Sequence, residues 1–208
     1  MKWDYEFDVV VVGSGNGALT SALCSHDGGA KTLVIEKSDK YGGTSATSGG
    51  GVWIPNNRYA KAENVDDSDQ DARDYINSVS PEGKIKAELI ETYISEGPKM
   101  IDYLHENSQV KYRNLAHYPD YFPDNPGGKE GNRSMEPEPI NGSQLGNDLG
   151  KLREQHPQTA FTMGPINMNF TQVEGQLLLG ALPGWKTLFA KLFTKYILDL
   201  PMRLKWGW

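Results

Sequence analysis

Cysteine occurs once in the 208 residues, at Cys24, which excludes an internal disulfide and any cysteine-cluster metal centre. Basic excess is missing too. The 21 Lys and Arg against 27 Asp and Glu leave a net charge of −6, so the long-range field repels a phosphate backbone and nucleic acid is not an expected partner. No stretch approaches the roughly 20 uninterrupted apolar residues of a membrane-spanning helix. The opening Met1-Lys2-Trp3-Asp4-Tyr5-Glu6-Phe7-Asp8 is acidic and lacks a signal-peptide pattern, so a soluble cytoplasmic protein is expected. His26, His105, His117 and His156 stand at no ligand spacing, and no metal site is expected. Nor is there a Gly-x-Ser-x-Gly elbow, since Ser14 and Ser48 belong to glycine loops. No Cys-His pairing is seen for Cys24, which reads as a packed thiol on a helix.

Glycine, by contrast, is abundant. It fills 23 of 208 positions, about 11 % against a usual ~7 %, and where it clusters decides the reading. The β-branched run over residues 7–12 predicts a strand buried on both faces of a parallel sheet. Helical spacing follows from Ala18 to about Ser25 and stops at Gly28-Gly29; Thr32-Leu33-Val34-Ile35 predicts a second buried strand closed by Glu36. The order strand, glycine turn, helix, strand is a βαβ unit.

Gly13-Ser14-Gly15-Asn16-Gly17-Ala18 lies in the turn of that unit, and Glu36 ends its second strand. Gly13 permits the tight turn, Gly15 lets the backbone approach a pyrophosphate, and Ala18 is small enough for close helix–strand packing. The helix N-terminus offers unpaired N–H groups to phosphates. A carboxylate at Glu36 suits the ribose hydroxyls. These features alone fit NAD or FAD. Lys37, then Gly42-Gly43-Thr44-Ser45 and Ser48-Gly49-Gly50-Gly51, follow directly, where an NAD domain continues into another crossover helix; this favours FAD.

Further on, residues 66–80 and 84–107 carry helical spacing, the second with an expected break at Gly97-Pro98. Asp66-Asp67-Ser68-Asp69-Gln70-Asp71 reads as a solvated helix start. Residues 117–142 form a long loop rich in Pro, Gly and Asp/Asn, whose aromatics Tyr118, Tyr121 and Phe122 argue for packing. Over residues 185–200 a wide apolar face is flanked by Lys186, Lys191 and Lys195. Core packing is the simpler reading of that face, and contact with a membrane surface the other.

At these residues the chain resembles FAD-dependent enzymes of the fumarate reductase flavoprotein superfamily, and within it the 3-ketosteroid Δ1-dehydrogenases. The matching stretches are Asp8 to Thr20, Val34-Ile35-Glu36-Lys37, Gly42 to Ala46, and Ser48-Gly49-Gly50-Gly51-Val52-Trp53-Ile54-Pro55. Tyr118-Pro119-Asp120-Tyr121, with Gly131-Asn132-Arg133-Ser134-Met135-Glu136-Pro137, is a second match. Asn16 departs from the family, which often has glycine there, as does Thr47, where an aromatic is common.

The resemblance implies an α/β, Rossmann-type FAD-binding fold with an inserted helical and loop region. It places an N-terminal part of the FAD-binding domain at residues 1–60 and a helical and loop region, incomplete at its C-terminus, at 61–208. It implies FAD as cofactor, held by Gly13, Ser14, Gly15, Asn16, Gly17, Ala18, Glu36, Lys37, Gly42, Gly43, Thr44, Ser45, Ser48, Gly49 and Gly50. It also implies a 3-ketosteroid substrate dehydrogenated at C1–C2, with a tyrosinate taking the C2 proton and the flavin taking hydride from C1. Tyr121 is the catalytic residue carried over, a hydrogen-bond partner of the base tyrosine. The base and electrophile tyrosines fall outside the chain, so the fragment alone is expected to be inactive. A fumarate- or urocanate-type reductase and a non-catalytic FAD-binding module are the alternatives.

Overall fold

The computed structural model describes residues 3–154, 162–163, 166–167 and 170–206. In chain order the elements are β1 (Val9–Val12), α1 (Asn16–Asp27), β2 (Thr32–Ile35), β3 (Val52–Trp53), α2 (Arg58–Ala62) and α3 (Asp69–Val79). There follow α4 (Ala87–Asn107), β4 (Tyr112–Asn114), β5 (Ser134–Pro137), the short strands β6 (Thr162–Met163) and β7 (Ile166–Asn167), α5 (Gln172–Leu179) and α6 (Trp185–Trp206). A 3₁₀ turn covers Ser45–Thr47, and 3₁₀ turns run over Gly142–Lys151, kinked at Gly146 where φ is +53°. Two compact units result: residues 1–49 with 141–208, and residues 50–140.

The first unit opens with the expected βαβ order. β1 and β2 pair in parallel, Val9 opposite Thr32 through Val12 opposite Ile35, and α1 packs on both strands. Burial on both faces is not found: Val10 is 52 % and Val12 78 % exposed. The sheet has two strands and one packed helix, so alternate side chains of β1 have no neighbour on the opposite face. The same thin layer leaves Cys24 exposed instead of packed, on a helix with no buried residue. Later in this unit Thr171 caps α5 in a capping box with Glu174, whose carboxylate accepts from the Thr171 N–H. α5 packs on α6. Of the apolar face predicted for α6, Leu192 is buried while Phe193 and Ile197 are exposed.

The second unit is an antiparallel sheet, order β3-β5-β4, with α2, α3 and α4. Its central strand lies inside the segment expected to be loop. Met135 is fully buried with Ile54 and Ile101, while Glu136, the next residue, is buried by pairing with Arg113 at 2.6 Å. A charged residue held inward breaks the apolar/polar alternation that marks a strand. α4 also departs from expectation by running unbroken through Gly97 and Pro98. Proline removes one ladder hydrogen bond, but Ile90, Ile94, Ile101 and Leu104 keep one continuous buried face across it. Gly97 fits there because a Cβ would stand 3.3 Å from Ile54. Ser68 caps α3 by accepting from the Asp71 N–H at 3.1 Å, and α3 packs on α4 through Ala72 against Ile90 and Ile94.

The 120–131 loop is locked by glycine. A Cβ on Gly127, whose φ is +73°, would stand 2.0 Å from the Asp71 carbonyl oxygen. Gly83, at φ +67°, meets open space. Gly127→Ala is therefore expected to destabilise the second unit by at least about 3 kcal/mol, clash added to strain, and Gly83→Ala by only about 1 kcal/mol from strain alone. Urea unfolding of the two variants measures the difference, and equal losses would show the loop to be loose at Gly127.

Candidate functional site

Within the first unit the residues expected to hold a dinucleotide converge on the start of α1. Gly13 takes φ +100° and donates its N–H to the Ile35 carbonyl at 2.7 Å, fastening the turn to the end of β2. Only glycine adopts that φ without strain. Gly15 caps α1 with no side-chain hydrogen bond, and a Cβ on either Gly13 or Gly17 would touch nothing within 4 Å. The turn thus leaves open space beside a helix N-terminus, where backbone N–H groups and the helix dipole favour an anion.

Four contacts hold the surrounding residues to this turn. Ser14, buried, donates its hydroxyl to Glu36 Oε2 at 2.5 Å and accepts the Gly42 N–H at 2.8 Å. Ser45 accepts the Asn16 N–H at 3.0 Å. Gly43 lies so close to Gly15 that a Cβ would stand 3.4 Å from its Cα. The second glycine cluster is therefore folded against the first, with Ser14 as the joint. Lys37 and Thr44 are exposed, and Ser48 turns back to donate to the Ser45 carbonyl at 3.0 Å. Gly49 has open space around it. Gly50 belongs to the second unit, where a Cβ would meet Pro137 at 2.9 Å.

Glu36 also accepts the Ser38 N–H at 3.1 Å through its other oxygen. Its pKa is lowered, first by the Ser14 hydroxyl and then by the Ser38 N–H, because both donate to the charged form. Each carboxylate oxygen keeps a lone pair for a ribose hydroxyl. The Ser14 contact was not anticipated from sequence, although a serine between the first two glycines was its visible signal.

The second unit holds Tyr121, and its side chain is 86 % exposed. This corrects the expectation of packing for Tyr121, and for Phe122, which is exposed as well, while Tyr118 is half-buried. Backbone and side-chain contacts of Asp120, not aromatic packing, order the loop. Asp120 Oδ1 accepts the Trp53 indole N–H at 2.6 Å, and Oδ2 accepts the Lys129 N–H at 3.1 Å and Arg133 Nη1 at 2.9 Å. The Arg133 side chain is 1 % exposed and also pairs with Asp67, Nη2 to Oδ1 at 2.7 Å. The 66–71 stretch does open α3, with Asp66, Asp69 and Gln70 exposed as its charge implied, but the Asp67 side chain is 4 % exposed and departs from that solvated reading. Asp71 meets Lys129 at 3.0 Å, and that hydrogen bond lowers its pKa. The signal missed in the sequence was an arginine on a glycine-rich loop, whose partners Asp67 and Asp120 lie far from it in sequence while Glu130 and Glu136 stand three residues away on either side.

Among the described residues no group of three His, Cys, Asp or Glu could hold a metal, and no helix is long and apolar enough to cross a membrane. His156, Gly207 and Trp208 lie outside the described residues.

Residues 8–188 match the family described as FAD binding domain, and the chain belongs to that family. Over 168 residues it is 39 % identical to a 3-oxosteroid 1-dehydrogenase of Mycolicibacterium smegmatis, covering 81 % of this chain and 29 % of the relative. A 4-oxocyclohexanecarboxylate 2-dehydrogenase of Sinomonas cyclohexanicum is 38 % identical over 157 residues, covering 76 % of this chain and 27 % of the relative. The crystal structure of 3-ketosteroid delta1-dehydrogenase from Sterolibacterium denitrificans, in complex with 1,4-androstadiene-3,17-dione, superposes with a TM-score of 0.86 at 39 % identity. That match covers 96 % of this chain and 34 % of the other. The chain spans about a third of the length of these proteins. FAD is the cofactor of the family, and the open cradle at Gly13 and Gly17 beside the N-terminus of α1 fits its pyrophosphate.

The Ser14–Glu36 bond yields a test. A lowered carboxylate pKa supports the fold above the unfolded value and loses that support as pH falls through the folded one. In Ser14→Ala the Glu36 carboxylate should titrate closer to the ordinary carboxylate range, which carboxyl-selective NMR reads directly. An unmoved Glu36 titration would mean the hydroxyl does not govern it.

Proposed function

We propose that this chain is the dinucleotide-holding and loop-bearing part of a flavoenzyme that dehydrogenates a ring ketone next to its carbonyl, with a 3-ketosteroid as substrate and the C1–C2 bond of ring A as the site. The observation that carries the reading is the Ser14 joint: one buried hydroxyl holds Glu36 and the Gly42-Gly43 turn against the Gly13–Gly17 turn. A lone glycine turn does not require that second cluster. The relatives' names agree on the chemistry. In 3-oxo and 1-dehydrogenase, and in 4-oxo and 2-dehydrogenase, the numbered carbon lies two positions from the oxo carbon.

In this reading the fold is Rossmann-type, and the chain is an N-terminal portion of the enzyme. The N–H groups at the start of α1 hold the pyrophosphate, with Gly15 allowing its approach. Glu36 accepts the ribose hydroxyls, and Gly43, Thr44, Ser45, Ser48 and Gly49 line the flavin side. Bound FAD supplies the hydride acceptor. Tyr121 donates its hydroxyl proton in a hydrogen bond to the base tyrosine that the resemblance places outside this chain. Donation to a phenolate favours its charged form and brings a pKa of about 10 toward working range. Ionising C2–H puts charge on the C3 oxygen, and donors to that oxygen stabilise it. A reductase of the fumarate or urocanate type is not favoured, since the relatives named are dehydrogenases of ring ketones.

Two measurements test this. The chain should bind FAD, followed by flavin absorbance and fluorescence, and Glu36→Ala should weaken binding about tenfold, the loss of roughly one charge-assisted hydrogen bond. No bound flavin after reconstitution sinks the cofactor assignment for this chain. The protein of the full reading frame should reduce an artificial electron acceptor with 3-keto-4-ene steroids. Tyr121→Phe should lower kcat about 10²-fold, in the range of general acid–base contributions, with flavin retained.

A further inference from the structure

Tyr121 is exposed, yet the residue before it is among the most confined in the second unit. Asp120 accepts three hydrogen bonds, from Trp53, Lys129 and Arg133, and donates its own N–H to the Lys129 carbonyl at 2.9 Å. On the other side of Tyr121, the Phe122 N–H reaches the Tyr75 hydroxyl at 3.3 Å. The next link inward is Arg133, whose guanidinium carbon lies 5.5 Å from the Trp53 ring centre and 5.7 Å from that of Tyr75. Trp53 in turn stacks on Tyr93, ring centres 6.2 Å apart, and its carbonyl accepts the Tyr93 hydroxyl. Side chains so tightly satisfied and buried have one arrangement. An exposed aromatic flanked on both sides by such anchors has its backbone, and so the base of its side chain, placed before any ligand arrives, which lowers the ordering cost of binding.

We infer that Arg133, Asp120 and Trp53 are positioning residues for Tyr121: they set where its hydroxyl stands and touch no reacting atom themselves. The inference rests on the role proposed for Tyr121 above. Asp67 neutralises Arg133, Arg133 orients one oxygen of Asp120, and Trp53 orients the other. Because the backbone of Asp120 continues into Tyr121, a tilt of that carboxylate moves the phenol. Misplacement by about 1 Å costs up to about 10²-fold in rate.

A double-mutant cycle tests it, run on the FAD-loaded protein of the full reading frame with a 3-keto-4-ene steroid and an artificial acceptor. Trp53→Phe keeps a ring over Arg133 and removes one donor from Asp120. Asp120→Asn keeps the shape and removes the charge that Arg133 meets. Each should lower kcat about tenfold with KM within about twofold, the pattern of a loss felt mainly in the transition state. In a Tyr121→Phe background the same substitutions should cost less than about twofold, because the group they aim is gone. Equal losses in both backgrounds overturn the inference, since Asp120 and Trp53 would then be acting on the fold alone. A Tyr121→Phe enzyme as fast as its parent is a different failure: it removes the proposed role of Tyr121 and the inference with it. Flavin absorbance and Tm accompany each variant, and Trp53→Phe carries the cycle alone if Asp120→Asn does not fold.

Discussion

A guanidinium taken almost wholly out of water is the constraint around which the second unit is arranged. Arg133 has 1 % of its side chain exposed and meets two carboxylates, Asp67 and Asp120. Burying a charge is unfavourable by several kcal/mol, and removing one partner of such a pair costs about 3–5 kcal/mol. The arrangement therefore has few alternatives. Asp67 stands just before α3, Asp120 in the long loop and Arg133 just before β5, so a single cation ties three chain segments that share no regular hydrogen-bond ladder. Trp53 adds β3 through its indole N–H. Net stability is a poor measure of such a cluster; its effect is to leave one register for the loop.

In the first unit the equivalent role falls to a neutral group. Ser14 has one hydroxyl, used once as donor to Glu36 and once as acceptor from Gly42. That double use joins the β1–α1 turn, the end of β2 and the second glycine cluster, and it does so without filling the space beside Gly13 and Gly17. A charged side chain at position 14 would compete with phosphate for the same helix N-terminus. A hydroxyl organises the turn and leaves the anion site open.

Much of this was legible in the sequence, and the remainder was hidden for physical reasons. The β1–α1–β2 order followed from β-branched runs and glycine spacing, because a turn with φ +100° at Gly13 needs glycine whatever the rest of the protein does. α3 was legible from its acids and its serine. β5 was not, since Ser134-Met135-Glu136-Pro137 buries a glutamate whose partner, Arg113, is 23 residues away. The same blindness covers Asp67 and Arg133, 66 residues apart: each looks like an exposed charge until the fold joins them. Exposure of β1 was misjudged for a different reason. An apolar run reports what a strand can bury, and burial also needs a second layer.

The two ring-ketone relatives narrow what this span contributes. One is named for a four-ring steroid and the other for a single ring bearing a carboxylate, yet each is 38–39 % identical to this chain over most of its length. Features tied to ring number or to a substrate carboxylate would differ between such proteins. Holding a dinucleotide and placing a phenol beside a ring ketone would not. In the reading proposed here, the positions this chain shares with both relatives serve the chemistry common to them. The buried character of the anchors agrees with that reading. Ser14, Asp120 and Arg133 are enclosed by their own unit, so the shape of the far end of a substrate does not alter what they hold in place.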